Sequence, residues 1–125
     1  MPLAVGVDLV AVARIERMIS HVGDRALERL LTADERSYCL GMAFPARHVA
    51  ARVAAKEAVY KALQGTEDAR GISWRDIEVV RDSAGRPSVR LHGRAGPRLG
   101  ELGGKQVLLS LTHTDDLAAA IAVVV

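Results

Sequence analysis

Apolar residues crowd Leu3 to Val10 in a short Val- and Leu-rich run, the pattern of a buried strand, and Gly6 within it marks a place where another backbone approaches closely. From Val12 to about His21 the period lengthens to that of a helix, with Ile15, Met18 and Ile19 apolar and Arg14, Glu16 and Arg17 polar. A second helical stretch runs from about Asp24 to Leu31. Thr32 followed three residues later by Glu35 is a capping-box pattern, which predicts a short helix through about Leu40 and implies no chemistry. Pro45 suits the start of a long helix from about Ala46 to Gln64, Ala- and Val-rich in its interior, and Gly65 is well placed to end it. The small side chains of this helix favour close packing, and its polar residues Arg52, Lys56, Glu57, Tyr60 and Lys61 are expected to face a cleft or solvent.

Ile72 to Arg81, in which Ile77 and Val79 alternate, and a second run from Ser88 to Leu91 flank the turn residues Asp82-Ser83-Ala84-Gly85-Arg86-Pro87; this predicts an antiparallel hairpin. Arg94 to Leu102 reads as a helix despite Gly96 and Pro97. Gln106 to Thr112 and Leu117 to Val125 are β-rich and separated by His113-Thr114-Asp115-Asp116, a second hairpin with His113 at its mouth. The expected class is α+β in a single domain over residues 1–125, with an antiparallel sheet packed against one long and several short helices.

Within this frame Asp8 is the anomaly. A carboxylate in an apolar strand is costly to desolvate unless it has a partner, so it is either hydrogen-bonded structurally or a ligand. Glu57 and Lys61 lie four residues apart, neighbours on one helical stripe. They are either an ordinary surface pair, contributing roughly 0.2–0.5 kcal/mol to the helix, or they reach one common ligand. A metal-bound phosphate fits the second reading: Glu57 offers oxygen to a hard cation, Lys61 offsets phosphate charge, and Asp8 supplies a second carboxylate for magnesium.

Half the residues are hydrophobic yet only 3% are aromatic, so the core must be aliphatic and stacking platforms for bases are few. Lys and Arg total 17 against 15 Asp and Glu, a formal charge of +2 with no basic block. Indiscriminate nucleic-acid binding is not expected, while an acidic partner met through a local cluster stays open. Cys39, the one cysteine, has no second cysteine for a disulfide or zinc site and reads as a small buried or half-buried apolar residue. The first ten residues contain Asp8 and lack the pattern of a secretory signal, and no apolar run approaches the roughly 20 residues of a spanning helix. A cytoplasmic, membrane-free protein is expected. No glycine loop ends in Gly-Lys-Ser/Thr, which sets a general nucleotide-binding domain aside.

Taken in order, Gly6-Val7-Asp8-Leu9-Val10, Leu31-Thr32 with Glu35, Ala54-Ala55-Lys56-Glu57-Ala58 with Lys61, Trp74-Arg75-Asp76-Ile77-Glu78-Val79 leading to Asp82, Gly85 and Pro87, and Ser110-Leu111-Thr112-His113 resemble the holo-acyl-carrier-protein synthase family. This is the short-chain, trimeric type of 4'-phosphopantetheinyl transferase, and the resemblance covers nearly the whole chain. It implies the fold of that family and a homotrimer with active sites at protomer interfaces. The implied reaction is magnesium-dependent transfer of the phosphopantetheine arm of coenzyme A to a serine of an apo-acyl carrier protein, for fatty-acid or polyketide synthesis, releasing adenosine 3',5'-bisphosphate. Asp8 and Glu57 match the family's magnesium ligands, with waters and coenzyme A phosphate oxygens in the remaining positions. Lys61 matches the residue that stabilises charge on the transferring phosphoryl group, and either Glu57 or a water held by the metal is the implied general base.

By the same resemblance Arg52, Lys61, Pro87, Thr112 and His113 line the coenzyme A site, and Arg14, Met18 and the adjacent Arg17 hold the acidic helix of the carrier. Two features depart from the family pattern: Val53 stands where an aromatic residue is usual, and the segment from His21 to Arg29 is less basic. A non-catalytic carrier- or coenzyme A-binding module on the same fold would be expected to lack a metal carboxylate or the phosphate lysine. Asp8, Glu57 and Lys61 are all present.

Overall fold

The computed structural model of the chain describes residues 1–64 and 71–125. Its elements are β1 (Ala4–Ala11), α1 (Val12–His21), α2 (Asp24–Leu30), α3 (Ala33–Leu40), α4 (Pro45–Leu63), β2 (Ile77–Arg81), β3 (Pro87–Leu91), α5 (Ala95–Glu101), β4 (Val107–His113) and β5 (Leu117–Val124). The helix ending expected at Gly65 lies outside the described residues.

β4 and β5 form the expected hairpin, and β1 adds antiparallel to the far side of β5, giving the order β1-β5-β4. In this sheet Asp8 is opposite Ala120, which is opposite Leu111. β2 and β3 make a separate two-stranded antiparallel sheet. Its turn carries Gly85 at φ +80° and is closed by Asp82 Oδ1, which accepts from the backbone N–H of Ala84 and of Arg86 at 2.9 Å each. The strand begins only at Ile77. Trp74–Asp76 form a 3-10 turn, held where Ser73 N–H donates to Asp76 Oδ2 at 2.9 Å.

α3 starts with the predicted capping box, in which Glu35 N–H donates to Thr32 Oγ1 and Thr32 N–H to Glu35 Oε1. α5 tolerates Pro97 because it falls in the first turn, where no intrahelical partner awaits its missing N–H.

α4 is buried on most of its circumference: Val49, Ala50, Ala51, Val53, Ala54, Ala55, Ala58, Val59, Ala62 and Leu63 all belong to the core. Alanines let it sit close to the sheet. Ala118, Ala120, Ala122 and Val124 of β5 face it, and Val10, Ile15, Leu27, Leu31 and Ile77 close the core around them. No described helix is long and apolar enough to cross a membrane.

Candidate active site

Alternation along β1 turns Gly6, Asp8 and Val10 toward α4 and leaves Val5, Val7 and Leu9 on the opposite face. Gly6 makes the approach possible: a Cβ there would lie 1.9 Å from the carbonyl oxygen of Ala58 and 2.9 Å from the backbone nitrogen of Ala62. Two residues on, Asp8 meets Lys61 of α4, whose Nζ donates to Asp8 Oδ1 and to the Val7 carbonyl, each at 3.0 Å. Asp8 therefore has a structural partner and still reaches solvent, with its side chain 17% exposed against 47% for Lys61. Among the described ion pairs Lys61 turns to the strand rather than to Glu57, so the ordinary surface pair along the helix does not form.

Glu57 is half-buried on the neighbouring side of α4. It lines a cleft of about 230 Å³ with Lys56, Tyr60, Ile72, Ser73, Trp74 and Ile77. One wall is α4, the other the 3-10 turn and the start of β2.

Lys56 and Arg52 are shut off from solvent, yet each borders a cleft, Lys56 that of Glu57 and Arg52 one shared with Tyr38, Arg81 and Arg90. Lys56 Nζ donates to Glu35 Oε1 at 2.8 Å, to the Trp74 carbonyl at 2.9 Å and to the Ile77 carbonyl, so every one of its protons has an acceptor. Desolvation lowers the pKa of Lys56, and the charge and hydrogen bond of Glu35 pull back against it. Glu35 also accepts from Val79 N–H at 2.9 Å, so the capping residue of α3 is at once the counter-ion of α4. Cys39 is buried nearby as expected, and desolvation pushes its thiol up to about 11.

At the other end of α4 positive charge gathers around one aromatic ring. The Arg52 guanidinium lies 4.2 Å and that of Arg81 5.0 Å from the centroid of Tyr38, whose ring also meets His48 edge-on at 5.9 Å. His48 in turn meets His113 at 5.1 Å. Burial holds the His48 pKa below the ordinary imidazole value, and His113, Arg52, Arg81 and Arg47 lower it further. Arg52 Nε has no hydrogen-bond partner among the described residues. A cluster of this kind is suited to an anion rich in oxygen.

Of the residues expected to line the coenzyme A site, the structure brings Arg52 and His113 together in this cluster. Asp8 shares the inner sheet face with His113, two strands across and two residues along, roughly 12 Å by ideal sheet spacing. Pro87 opens β3 opposite Arg81, and Thr112 points to the outer sheet face, away from His113. Tyr38, His48 and Arg81 escaped the sequence reading, because nothing local marks an aromatic ring as the platform for residues 14 and 43 positions away.

On the remaining flank Arg14 and Arg17 are exposed on α1 and Met18 is half-buried. Met18 borders a groove of about 450 Å³ with Val22, Arg25, Ala26, Arg29, Leu30 and Trp74. Arg25 and Arg29, one helical turn apart on α2, were the legible signal that this face carries more positive charge than Arg14 and Arg17 alone.

A sequence model described as the 4'-phosphopantetheinyl transferase superfamily matches residues 4–122. The chain is 40% identical to the holo-[acyl-carrier-protein] synthase of Geobacter metallireducens, over 98% of this chain and 97% of that one. Among solved structures, the holo-[acyl-carrier-protein] synthase of Neisseria meningitidis superposes with a TM-score of 0.86 at 29% identity, covering 99% of this chain and 98% of that one. The Helicobacter pylori enzyme, solved in complex with coenzyme A, superposes at 0.81 and 28% identity over 97% and 99% of the two chains.

Proposed function

Because this chain belongs to the 4'-phosphopantetheinyl transferase superfamily, we propose that it acts as a holo-acyl-carrier-protein synthase, moving the 4'-phosphopantetheine group of coenzyme A onto a serine of an apo-acyl carrier protein. The serine oxygen forms a bond to the phosphorus bearing the pantetheine arm, the pyrophosphate P–O bond breaks, and adenosine 3',5'-bisphosphate leaves with the electron pair. The observation that carries the reading is the convergence of Lys61 and Asp8 from two elements at the solvent edge of α4, beside the cleft of Glu57. Lys61 is assigned to the developing negative charge, an interaction stronger in the transition state than in the bound substrate. Glu57, half-buried in the lining of its cleft, is the carboxylate assigned to receive the serine proton.

Asp8 and Glu57 are hard oxygen donors of the kind that fits magnesium, and among the described residues no group of three His, Cys, Asp or Glu gathers to form a fuller cage. When bound there, the ion supplies charge neutralisation to the pyrophosphate. The cluster of Arg52, Arg81, His48 and His113 is assigned the nucleotide phosphates, and Arg14, Arg17 and Met18 the acidic carrier. We assign the chain one domain and a cytoplasmic location, in keeping with the absence of a membrane-spanning helix among the described residues.

The finer reading is a homotrimer with its sites at protomer boundaries. Its support is the outer face of the β1-β5-β4 sheet, where Val5, Val7 and Leu9 are 63%, 64% and 63% exposed beside Ile121 and Leu108. Thr112 lies on this same face.

Intact-mass measurement of an apo-carrier protein incubated with the chain, coenzyme A and magnesium tests the reaction. The carrier is expected to gain one phosphopantetheine. Asp8→Ala and Glu57→Gln are expected to lose the gain by about a hundredfold or more while the fold persists, and Lys61→Ala to lower kcat more than coenzyme A affinity. A carrier of unchanged mass with the wild-type chain would refute the assignment.

A further inference from the structure

Lys56 is the residue next to Glu57, yet its ammonium is buried at the back of the cleft wall, away from solvent. Its three Nζ protons are divided unevenly in purpose. One goes to the Glu35 carboxylate, and two go to main-chain carbonyls, those of Trp74 and Ile77, at either end of the 3-10 turn that walls the Glu57 cleft. The pair is sealed, with Lys56 and Glu35 side chains 1% and 0% exposed. A buried ammonium needs an acceptor for each of its three protons, and here two of the three acceptors are main-chain carbonyls of the turn. Here α4, the start of α3 and the turn are joined through a single ammonium.

We propose that Lys56 is a positioning residue for the transfer reaction: by holding the Trp74 and Ile77 carbonyls to α4 it sets the width of the cleft that Glu57 faces. The proposal rests on the transfer reading for its consequence and on the hydrogen bonds alone for its geometry. Glu35 is assigned a separate task. It compensates the buried ammonium and supports stability, while the turn itself is gripped by Lys56. Misplacement of a wall that orients a reacting group lowers turnover without removing a substrate contact, so kcat is the quantity expected to fall.

Three variants separate positioning from stability: Lys56→Met, Glu35→Gln, and the two together, each compared with wild type below its melting temperature, where circular dichroism shows it folded. Trp74 is the only tryptophan in the chain, so acrylamide quenching of its fluorescence reports directly on the wall. Glu35→Gln is expected to melt earlier but to keep wild-type quenching and kcat, because the bonds of Lys56 to both carbonyls remain. Lys56→Met is expected to raise quenching and lower kcat by about tenfold to a hundredfold, with the Michaelis constants for coenzyme A and carrier near wild type. The double variant is expected to regain stability over Lys56→Met and to keep its poor kcat and raised quenching. If kcat instead follows melting temperature across the three, or quenching does not move when Lys56 is replaced, Lys56 is only a core ion-pair member. A wild-type chain that transfers nothing would sink the reaction, while quenching would still decide the clamp.

Discussion

Glu78 shows how a single carboxyl is tuned by what surrounds it. Burial pushes its pKa up, but hydrogen bonds from Thr32 Oγ1 at 2.7 Å and His92 Nε2 at 3.0 Å, with the charges of His92 and Arg90, outweigh burial and hold it below the ordinary 4.5. The folded chain then keeps this carboxylate ionised at pH values where the unfolded chain takes up a proton. Its contribution to stability is fully present above about pH 4.5 and is lost as pH falls through the lower, folded value. Melting temperatures of wild type and Glu78→Gln are therefore expected to differ most near neutral pH and to converge on acidification below that point. A gap that stayed constant as the pH was lowered from neutral to well below 4.5 would deny Glu78 this role. Residue type alone made Asp8 and Lys61 candidates, since a carboxylate in an apolar strand demands an explanation wherever it lies. The burial of Lys56 and Arg52 was not legible, because burial of a charge depends on its partner, and Glu35 is 21 positions from Lys56 while Tyr38 is 14 from Arg52.

Between elements, the decisive contact is β1 against α4, and it depends on one missing methyl. Gly6→Ala would place a Cβ 1.9 Å from the Ala58 carbonyl oxygen, against backbone at the centre of a buried helix that has no room to give. Destabilisation on the order of 3 kcal/mol is expected by urea denaturation, and the fraction that folds is expected to show weakened transfer because Asp8 moves with its strand. An unchanged denaturation midpoint would mean that β1 and α4 are held apart by more than the structure shows. The glycine was legible as a close-approach point, although its partner was not. The same holds for the segment from Ile72 to Arg81. Its alternating apolar residues were read correctly from Ile77 onward, but the Ser73 and Asp76 side chains and backbone close a turn where a longer strand was expected.

The whole chain leaves one sheet face wet and apolar, and this is where the proposed trimer is exposed to test. Val7 and Ile121 are cross-strand neighbours on that face. Because both are exposed, Val7→Glu with Ile121→Glu is expected to leave the protomer folded, to shift it to a monomer in equilibrium sedimentation, and to cut transfer per chain by about tenfold or more. A double variant that stays active as a monomer would remove the need for assembly. Wild-type activity per chain is expected to fall on dilution and recover on concentration.

Periodicity, turn chemistry and capping are local, and so the helices, the two hairpins, the aliphatic core and the order of the motifs that mark the family could be read from the chain itself. What required the folded chain were the relations between distant segments: β1 closing onto β5 at the other end of the sequence, Lys61 crossing to Asp8 53 positions away, and Lys56 turning inward to a carboxylate and two carbonyls. A side chain's type states what it is able to bind, but hydrogen bonds and desolvation act over a few ångströms in space, whatever the separation along the chain. The sequence therefore determined which groups were available to the reaction, and packing decided which of them reach solvent at the site and which hold the site in place.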